Sequence, residues 1–185
     1  KSNQPYLIIE HRLLYYQKSE VPKIKETDTI LSFRKLRNGK DITIVGVSYS
    51  AVECLRASQL LSEKGIEADV YTPNYLTNID VSEILESVKK TGNLLVVDND
   101  LISYGYGAEL IARLHNRDIN FKSHRMGFAN TVCPTSPTIE KEFYPNALSI
   151  AYIVNSMLKN NDTYFVENFN KEENNIKIEE IKQNT

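Results

Sequence analysis

Tyr104-Gly105-Tyr106-Gly107 stands between an apolar run that closes on Asp98 and a stretch with helical spacing. A strand that turns into a helix through two glycines brings backbone N–H groups together at a positive helix end, where anions bind. With Arg125, these four residues are the candidate interface or anion contact. They do not form a dinucleotide fingerprint, because GxGxxG is missing and no acidic residue closes the unit at the right place. A turn chosen only for close packing is the other reading.

The remaining reactive side chains do not assemble by sequence logic. Glu10 and His11 are neighbours in a predicted strand, so they point to opposite faces. His115 lies near a helix C-terminus, where the dipole favours a cation, and His124 lies in or beside a strand. None completes a base–nucleophile or metal set. Cys54 falls on the apolar face of a predicted helix and is expected to be a buried thiol. Cys133 sits in a Pro/Thr/Ser loop without a local base, and no zinc spacing exists. No catalytic, cofactor-binding or metal residue is therefore expected.

Composition narrows the partners. The 185 residues are 41% hydrophobic and 25% charged, with a formal net charge of −2. Phosphate neutralisation needs clustered Lys and Arg, so nucleic acid is not expected as a partner. The basic run from Arg34 to Lys40 alternates like a solvated edge strand. No stretch approaches the roughly 18 apolar residues of a membrane span, and no signal peptide opens the chain. Two cysteines make no disulfide framework, so a soluble cytoplasmic protein is the expectation. The missing initiator Met reads as a fragment or processed piece.

The elements that would position these residues alternate. Tyr6 to Ile9 reads as a short strand, and residues 19–28 as a linker broken by Pro22. Ile30 to Arg37 predicts a half-exposed strand, followed by Asn38-Gly39, a strong hairpin signal. Asp41 to Val47 is β-branched and suits a strand buried on both faces, paired antiparallel with its predecessor through that turn. Helices are predicted over Ala51 to Lys64, Asp80 to Lys90, Gly105 to Asn116 and Asn146 to Leu158. Gly65 and Gly92 mark two ends, and Asp80 with Glu83 marks a start. Strands at Ala68 to Tyr71, Asn93 to Val97 and Phe121 to Met126 fall between them. This order argues for a mostly parallel sheet covered on both faces. Residues 159–185 form a polar tail, in which Tyr164 to Phe169 is an apolar cluster.

The phrases GKDITIVGV (Gly39 to Val47), KGIEADV (Lys64 to Val70), LTNID (Leu76 to Asp80), SVKKTGNLLVVD (Ser87 to Asp98), YGAELIARL (Tyr106 to Leu114) and PTSPTIE (Pro134 to Glu140) occur in that order. The set resembles the transketolase C-terminal domain, most closely its version in the β subunits of pyruvate and branched-chain 2-oxoacid dehydrogenases. LIIEHRLLYY (Leu7 to Tyr16) resembles the closing strand and exit of their pyrimidine-binding domain. The departures are mostly losses of charge. Thr72, Asn74 and Asn78 stand where the family usually has Asp, Arg and Pro, and Asn99 stands for Glu. Asn130 stands for Asp, and Val132 for Pro.

The resemblance implies a three-layer α/β/α sandwich with a mixed five-stranded sheet, one strand antiparallel. It assigns residues 1–18 to the end of a pyrimidine-binding domain, 29–158 to the transketolase C-terminal-like domain and 159–185 to the tail. It implies packing on that pyrimidine-binding domain, an α subunit, a possible acyltransferase core and a possible homodimer. Thiamine diphosphate and Mg would belong to other parts of the parent enzyme. The function implied is assembly and docking in a 2-oxoacid dehydrogenase. The alternatives are the same domain of a transketolase or deoxyxylulose-phosphate-synthase-like transferase, and a stand-alone interaction module.

Overall fold

The computed structural model describes residues 5–18, 32–77, 79–128 and 131–158. The expected linker at 19–28 and the tail at 159–185 lie outside the described residues. Five strands, β1 (Phe33–Arg37), β2 (Ile42–Gly46), β3 (Ala68–Pro73), β4 (Asn93–Leu101) and β5 (Lys122–Phe128), form one sheet in the order β1-β3-β2-β4-β5. β1 is antiparallel to β3, and every other pairing is parallel. The helices are α1 (Ser50–Ser62), α2 (Ser82–Thr91), α3 (Tyr106–His115), α4 (Pro137–Phe143) and α5 (Ala147–Met157). The expected α/β/α sandwich is the fold observed.

β2 reads ITIVG and is buried at all five positions, because it is flanked by β3 and β4 and covered on both faces. Its alternate side chains feed two cores. Ile42 and Ile44 join Cys54, Ala57 and Leu61 of α1 and Ile150, Ala151 and Val154 of α5. Val45 joins Ile84 and Val88 of α2 and Leu110 and Leu114 of α3 on the opposite face. Full burial of each such side chain contributes about 1.5–3 kcal/mol.

The helix stops follow the glycines. The N–H of Gly65 (φ 79°) donates to Ser62 O and that of Ile66 to Leu61 O, and Ile66 packs in the same core as Leu61. These are the two bonds and the apolar contact of a Schellman ending. Gly92 (φ 67°) ends α2. The start of α2 is displaced from expectation: Ser82 is its first residue, and the Asp80 carboxylate accepts from the Ser82 N–H (3.0 Å) and hydroxyl (2.6 Å). Asp80 therefore caps from one position further out, and the Asp80–Glu83 capping box does not form.

The hairpin expectation is corrected. β1 does not pair with β2, because β3 lies between them. Neither Asn38 nor Gly39 has positive φ, so no two-residue hairpin turn forms there. The chain instead crosses the start of β3, where Lys40 N and Asp41 N both donate to Glu67 O and a Cβ on Gly39 would fall inside the Ala68 backbone. The glycine is required by close approach rather than by turn conformation. Burial explains the order: β2 is apolar on both faces and needs a strand on each side, whereas half-exposed, basic β1 suits an edge.

Two further differences concern the ends. Tyr6 to Ile9 forms no strand, and Leu7, Ile8 and Ile9 are 88%, 80% and 73% exposed. α4 was not expected from the sequence; it lies over the end of β5, where Phe143 meets Phe128 at 4.9 Å.

Candidate functional site

β2 is the first parallel strand, β3 lies on one side of it and β4 on the other. The topology therefore switches between β2 and β4, at the carboxyl ends where open α/β sheets bind ligands. Val47 N donates to Val97 O at this point (2.9 Å), and Asp98 follows immediately.

Asp98 is 6% exposed and lies beneath the first turn of α3. Its Oδ2 accepts from Gly107 N at 3.4 Å, and the backbone N–H groups of Tyr106 and Asn99 also face the carboxylate. Burial raises the Asp98 pKa above the ordinary carboxylate range and nearby Asp100 adds to this, while the three N–H groups pull the other way. The anion at this helix end is thus the chain's own carboxylate.

The five sequence candidates surround that group in different roles. Gly105 precedes the helix, and a Cβ there would lie 2.6 Å from Leu101 O and 2.8 Å from Asp98 Oδ2. A Cβ on Gly107 would lie 3.0 Å from Val96 Cγ1. Tyr106 turns inward against the α2–α3 core, where its hydroxyl is buried without a hydrogen-bond partner. Burial, with the Asp98 charge, raises the Tyr106 pKa. Arg125 on β5 donates from Nη1 to Ile102 O (2.8 Å) and so holds the turn after β4. Tyr104 alone points fully into solvent, from a left-handed backbone conformation with φ 62°.

The crease among Val96, Asp98, Leu101, Ile102, Gly107 and Arg125 leaves no room for a water molecule. A diphosphate does not fit here, since Asp98 already holds the N–H groups and would repel a second anion. Among the described residues, no three His, Cys, Asp or Glu side chains are grouped so as to hold a metal. No described helix is long and apolar enough to cross a membrane.

The other reactive side chains are separated as well. His11 Nδ1 accepts from Leu13 N (3.3 Å) and its ring stacks on Tyr49 at 5.3 Å, while Glu10 accepts from the Tyr15 hydroxyl (2.8 Å). His115 stacks on Phe121 at 4.5 Å, and His124 is exposed on β5. Cys54 is wholly buried, which pushes its thiol pKa up and leaves it unreactive. Cys133 Sγ lies 3.3 Å from the Tyr144 hydroxyl.

Two buried carboxylates escaped sequence reasoning. Asp69 on β3 is 1% exposed and binds Lys35, Gly39 N, Tyr71 and Ser87. Glu53 on α1 accepts from Ala147 N (3.0 Å) at the start of α5 and pairs with Arg56 (2.6 Å). The only local signal for either was an acidic residue on an otherwise apolar face. What remains at the carboxyl end is a turn held by Arg125 that presents Tyr104 to solvent.

The family model described as "Transketolase, C-terminal domain" matches residues 32–150. The chain belongs to the transketolase C-terminal domain family. It is 29% identical over 164 residues to the acetoin:2,6-dichlorophenolindophenol oxidoreductase subunit beta of Cupriavidus necator, covering 86% of this chain and 48% of that protein. It is 31% identical over 165 residues to the mitochondrial pyruvate dehydrogenase E1 component subunit beta of Chaetomium thermophilum, covering 84% and 43%. A solved structure titled "Split gene transketolase, inactive beta4 tetramer" superposes with a TM-score of 0.64 at 22% identity, covering 76% of this chain and 47% of that one. The structural likeness bears on the fold alone. The chain spans about half the length of the curated relatives it matches.

Proposed function

We propose that this chain is the C-terminal assembly and docking domain of a β subunit in a thiamine-diphosphate-dependent 2-oxoacid dehydrogenase. The observation that carries the reading is the match along 165 residues to a protein named as a pyruvate dehydrogenase E1 component subunit beta, and along 164 residues to one named as the subunit beta of an acetoin oxidoreductase, at about half their length. The geometry supports a non-catalytic part: the strand-end turn is closed by its own Asp98, and its exposed tip is Tyr104. On this reading residues 5–16 belong to the end of a pyrimidine-binding domain, which would give the exposed run Leu7 to Ile9 a sheet to join. An α subunit is the implied partner, and thiamine diphosphate with Mg is held by the rest of the assembly. A contact with an acyltransferase core and a homodimer belong to the same proposal, as does a cytoplasmic location, where Cys54 and Cys133 stay reduced.

The test is reconstitution. The full-length parent, co-expressed with its α subunit, is expected to decarboxylate a 2-oxo acid oxidatively with a dye as electron acceptor, dependent on thiamine diphosphate. This chain alone is expected to show no heat of binding with the cofactor. Ketol transfer between sugar phosphates by the parent, without oxidative decarboxylation, would move the assignment to a transketolase. Micromolar cofactor binding by the chain alone would overturn the docking role.

A further inference from the structure

Asn38-Gly39 is the one Asn-Gly pair among the 185 residues, and no hairpin turn uses it. The pair has a chemistry of its own. A backbone nitrogen that follows asparagine can attack the side-chain amide carbon, and glycine hinders it least because it has no Cβ. The bond from Gly39 N to Asn38 Cγ forms, the Cγ–Nδ2 bond breaks, and the amide nitrogen leaves as ammonia with the Gly39 proton. Water then opens the cyclic imide at either carbonyl. Cleavage at Cγ gives aspartate, whereas cleavage at the backbone carbonyl gives isoaspartate, whose main chain runs through Cβ and Cγ. Water is the sole co-reactant, and nothing is oxidised or reduced.

The fold leaves the amide open and holds back the attacking nitrogen. Asn38 is exposed, whereas Gly39 N donates to Asp69 Oδ1 at 3.3 Å, and Asp69 is 1% exposed. Loss of the Gly39 proton would place negative charge beside that buried carboxylate, which repels it. The glycine is also pinned. Lys90 Nζ donates to Gly39 O, Lys40 N and Asp41 N both donate to Glu67 O, and the Asp41 carboxylate accepts from Glu67 N (2.8 Å). Ring closure needs Gly39 N to turn toward the Asn38 side chain, and these bonds prevent the turn while β1 stays on β3.

β1 is the element that can release it. It lies at the edge of the sheet, and its register with β3 shifts between Lys35 and Arg37. Such elements open locally before the core does. Beside Asn38, the end of β1 is fastened by the Arg37 guanidinium to Glu67 Oε2 (2.9 Å) and Ser58 Oγ (3.5 Å). The way back is closed to one product. A Cβ on Gly39 would already fall 2.1 Å from Ala68 C, so a main chain one carbon longer does not pass the same crossing.

We propose that Asn38 is a self-modifying site gated by the edge strand. It cyclises only when β1 leaves β3, and the isoaspartate that forms keeps β1 from returning.

Ageing the chain at mildly alkaline pH, folded and in urea, tests the proposal. Peptide mass spectrometry follows the loss of Asn38 and separates aspartate from isoaspartate. The folded chain is expected to react about ten-fold or more slowly than the chain in urea, because modification through an open state tracks its population. Arg37→Ala frees the end of β1 and is expected to narrow that ratio, its own rate in urea correcting for altered intrinsic reactivity. Equal rates in the folded and unfolded chain, or a ratio that Arg37→Ala leaves unchanged, overturns the proposal. Hydrogen exchange at Ile44 in β2 reports global unfolding in the same samples. Protection of Asn38 is expected to be about ten-fold or more weaker than that of Ile44. Equal protection would mean that β1 never leaves alone, and overturns the gate. The isoaspartate chain, separated and returned to native buffer, is expected to melt well below the unmodified chain, whereas Asn38→Asp melts with it. An isoaspartate chain that melts like the unmodified one overturns the block on return.

Discussion

Lys35 Nζ lies 3.0 Å from Asp69 Oδ1, tying the antiparallel edge strand β1 to a buried carboxylate on β3. The same carboxylate accepts from Ser87 Oγ (2.6 Å) and Tyr71 OH (3.2 Å). Because Ser87 gives its one proton to Asp69, Thr43, 2.7 Å away, must donate to Ser87. The chain of contacts runs on to Thr91 (2.8 Å) and so joins β1, β3, β2 and α2. Asp69→Ala strands several donors in a buried site and is expected to cost about 2–4 kcal/mol in urea unfolding. Lys35→Met, which removes a half-exposed partner, is expected to cost about 1 kcal/mol or less. A loss below 1 kcal/mol for Asp69→Ala would show that the network is not a hub.

Two glycines separate two reasons for glycine. Gly92→Ala places a methyl in open space at φ 67° and is expected to cost about 1 kcal/mol. Gly39→Ala drives its methyl into the backbone of β3 and is expected to cost several times more, or to prevent folding. Asn38→Ala is expected to be tolerated, because no hairpin turn depends on it. Thermal melts of the three variants decide the ranking, and equal losses at 39 and 92 would contradict the crossing geometry.

Asp98 links stability to pH. Burial lifts its pKa in the folded chain, so the neutral acid is the form that folding favours. That contribution is full below the unfolded value, about pH 4, and is lost as pH rises through the higher folded value. At neutral pH a buried charge remains beneath α3. Asp98→Asn keeps an acceptor for the helix N–H groups and removes the charge. Its neutral-pH stability is therefore expected to hold or to rise, by less than about 1 kcal/mol. A large loss on this substitution would mean that the charge itself holds the helix.

Asp80 carries the opposite sign. The Ser82 hydroxyl, and then its backbone N–H, hold the Asp80 carboxyl below the ordinary range. Its contribution is present above the unfolded value and disappears as pH falls through the lowered folded value. Asp80→Ala is expected to lower the melting temperature at pH 7, with the gap to the parent chain closing at about pH 2. A gap independent of pH would remove Asp80 as the cap of α2.

Glu53 joins distant parts of the chain through Ala147 N, 94 residues away. Glu53→Gln keeps an acceptor and is expected to lose about 1 kcal/mol, whereas Glu53→Leu leaves the start of α5 unsatisfied and loses about 2 kcal/mol or more. Hydrogen exchange at Ala147 reports the difference directly. Unchanged protection in Glu53→Leu would mean that α5 is held by its apolar face alone.

Local chemistry made much of this protein legible in one dimension. The β-branched run ITIVG, the helical spacing of Leu110 and Leu114, and the stops at Gly65 and Gly92 depend on neighbours within a few residues, so the alternation of strands and helices could be read directly. The ordered phrases from Gly39 to Glu140 carried the family. Strand order was different, because Asn38-Gly39 satisfies a hairpin and a crossing equally well until β3 is seen to occupy the space beside β2. Asp98 followed the same rule: YGYG after a strand end looks like an anion contact, and only folding brings the Asp98 carboxylate onto the helix N–H groups that an outside anion would need. Residue type and spacing set what each segment can form. Close approach between segments far apart in the chain selected among those possibilities, since steric exclusion and burial act through space and not along the sequence.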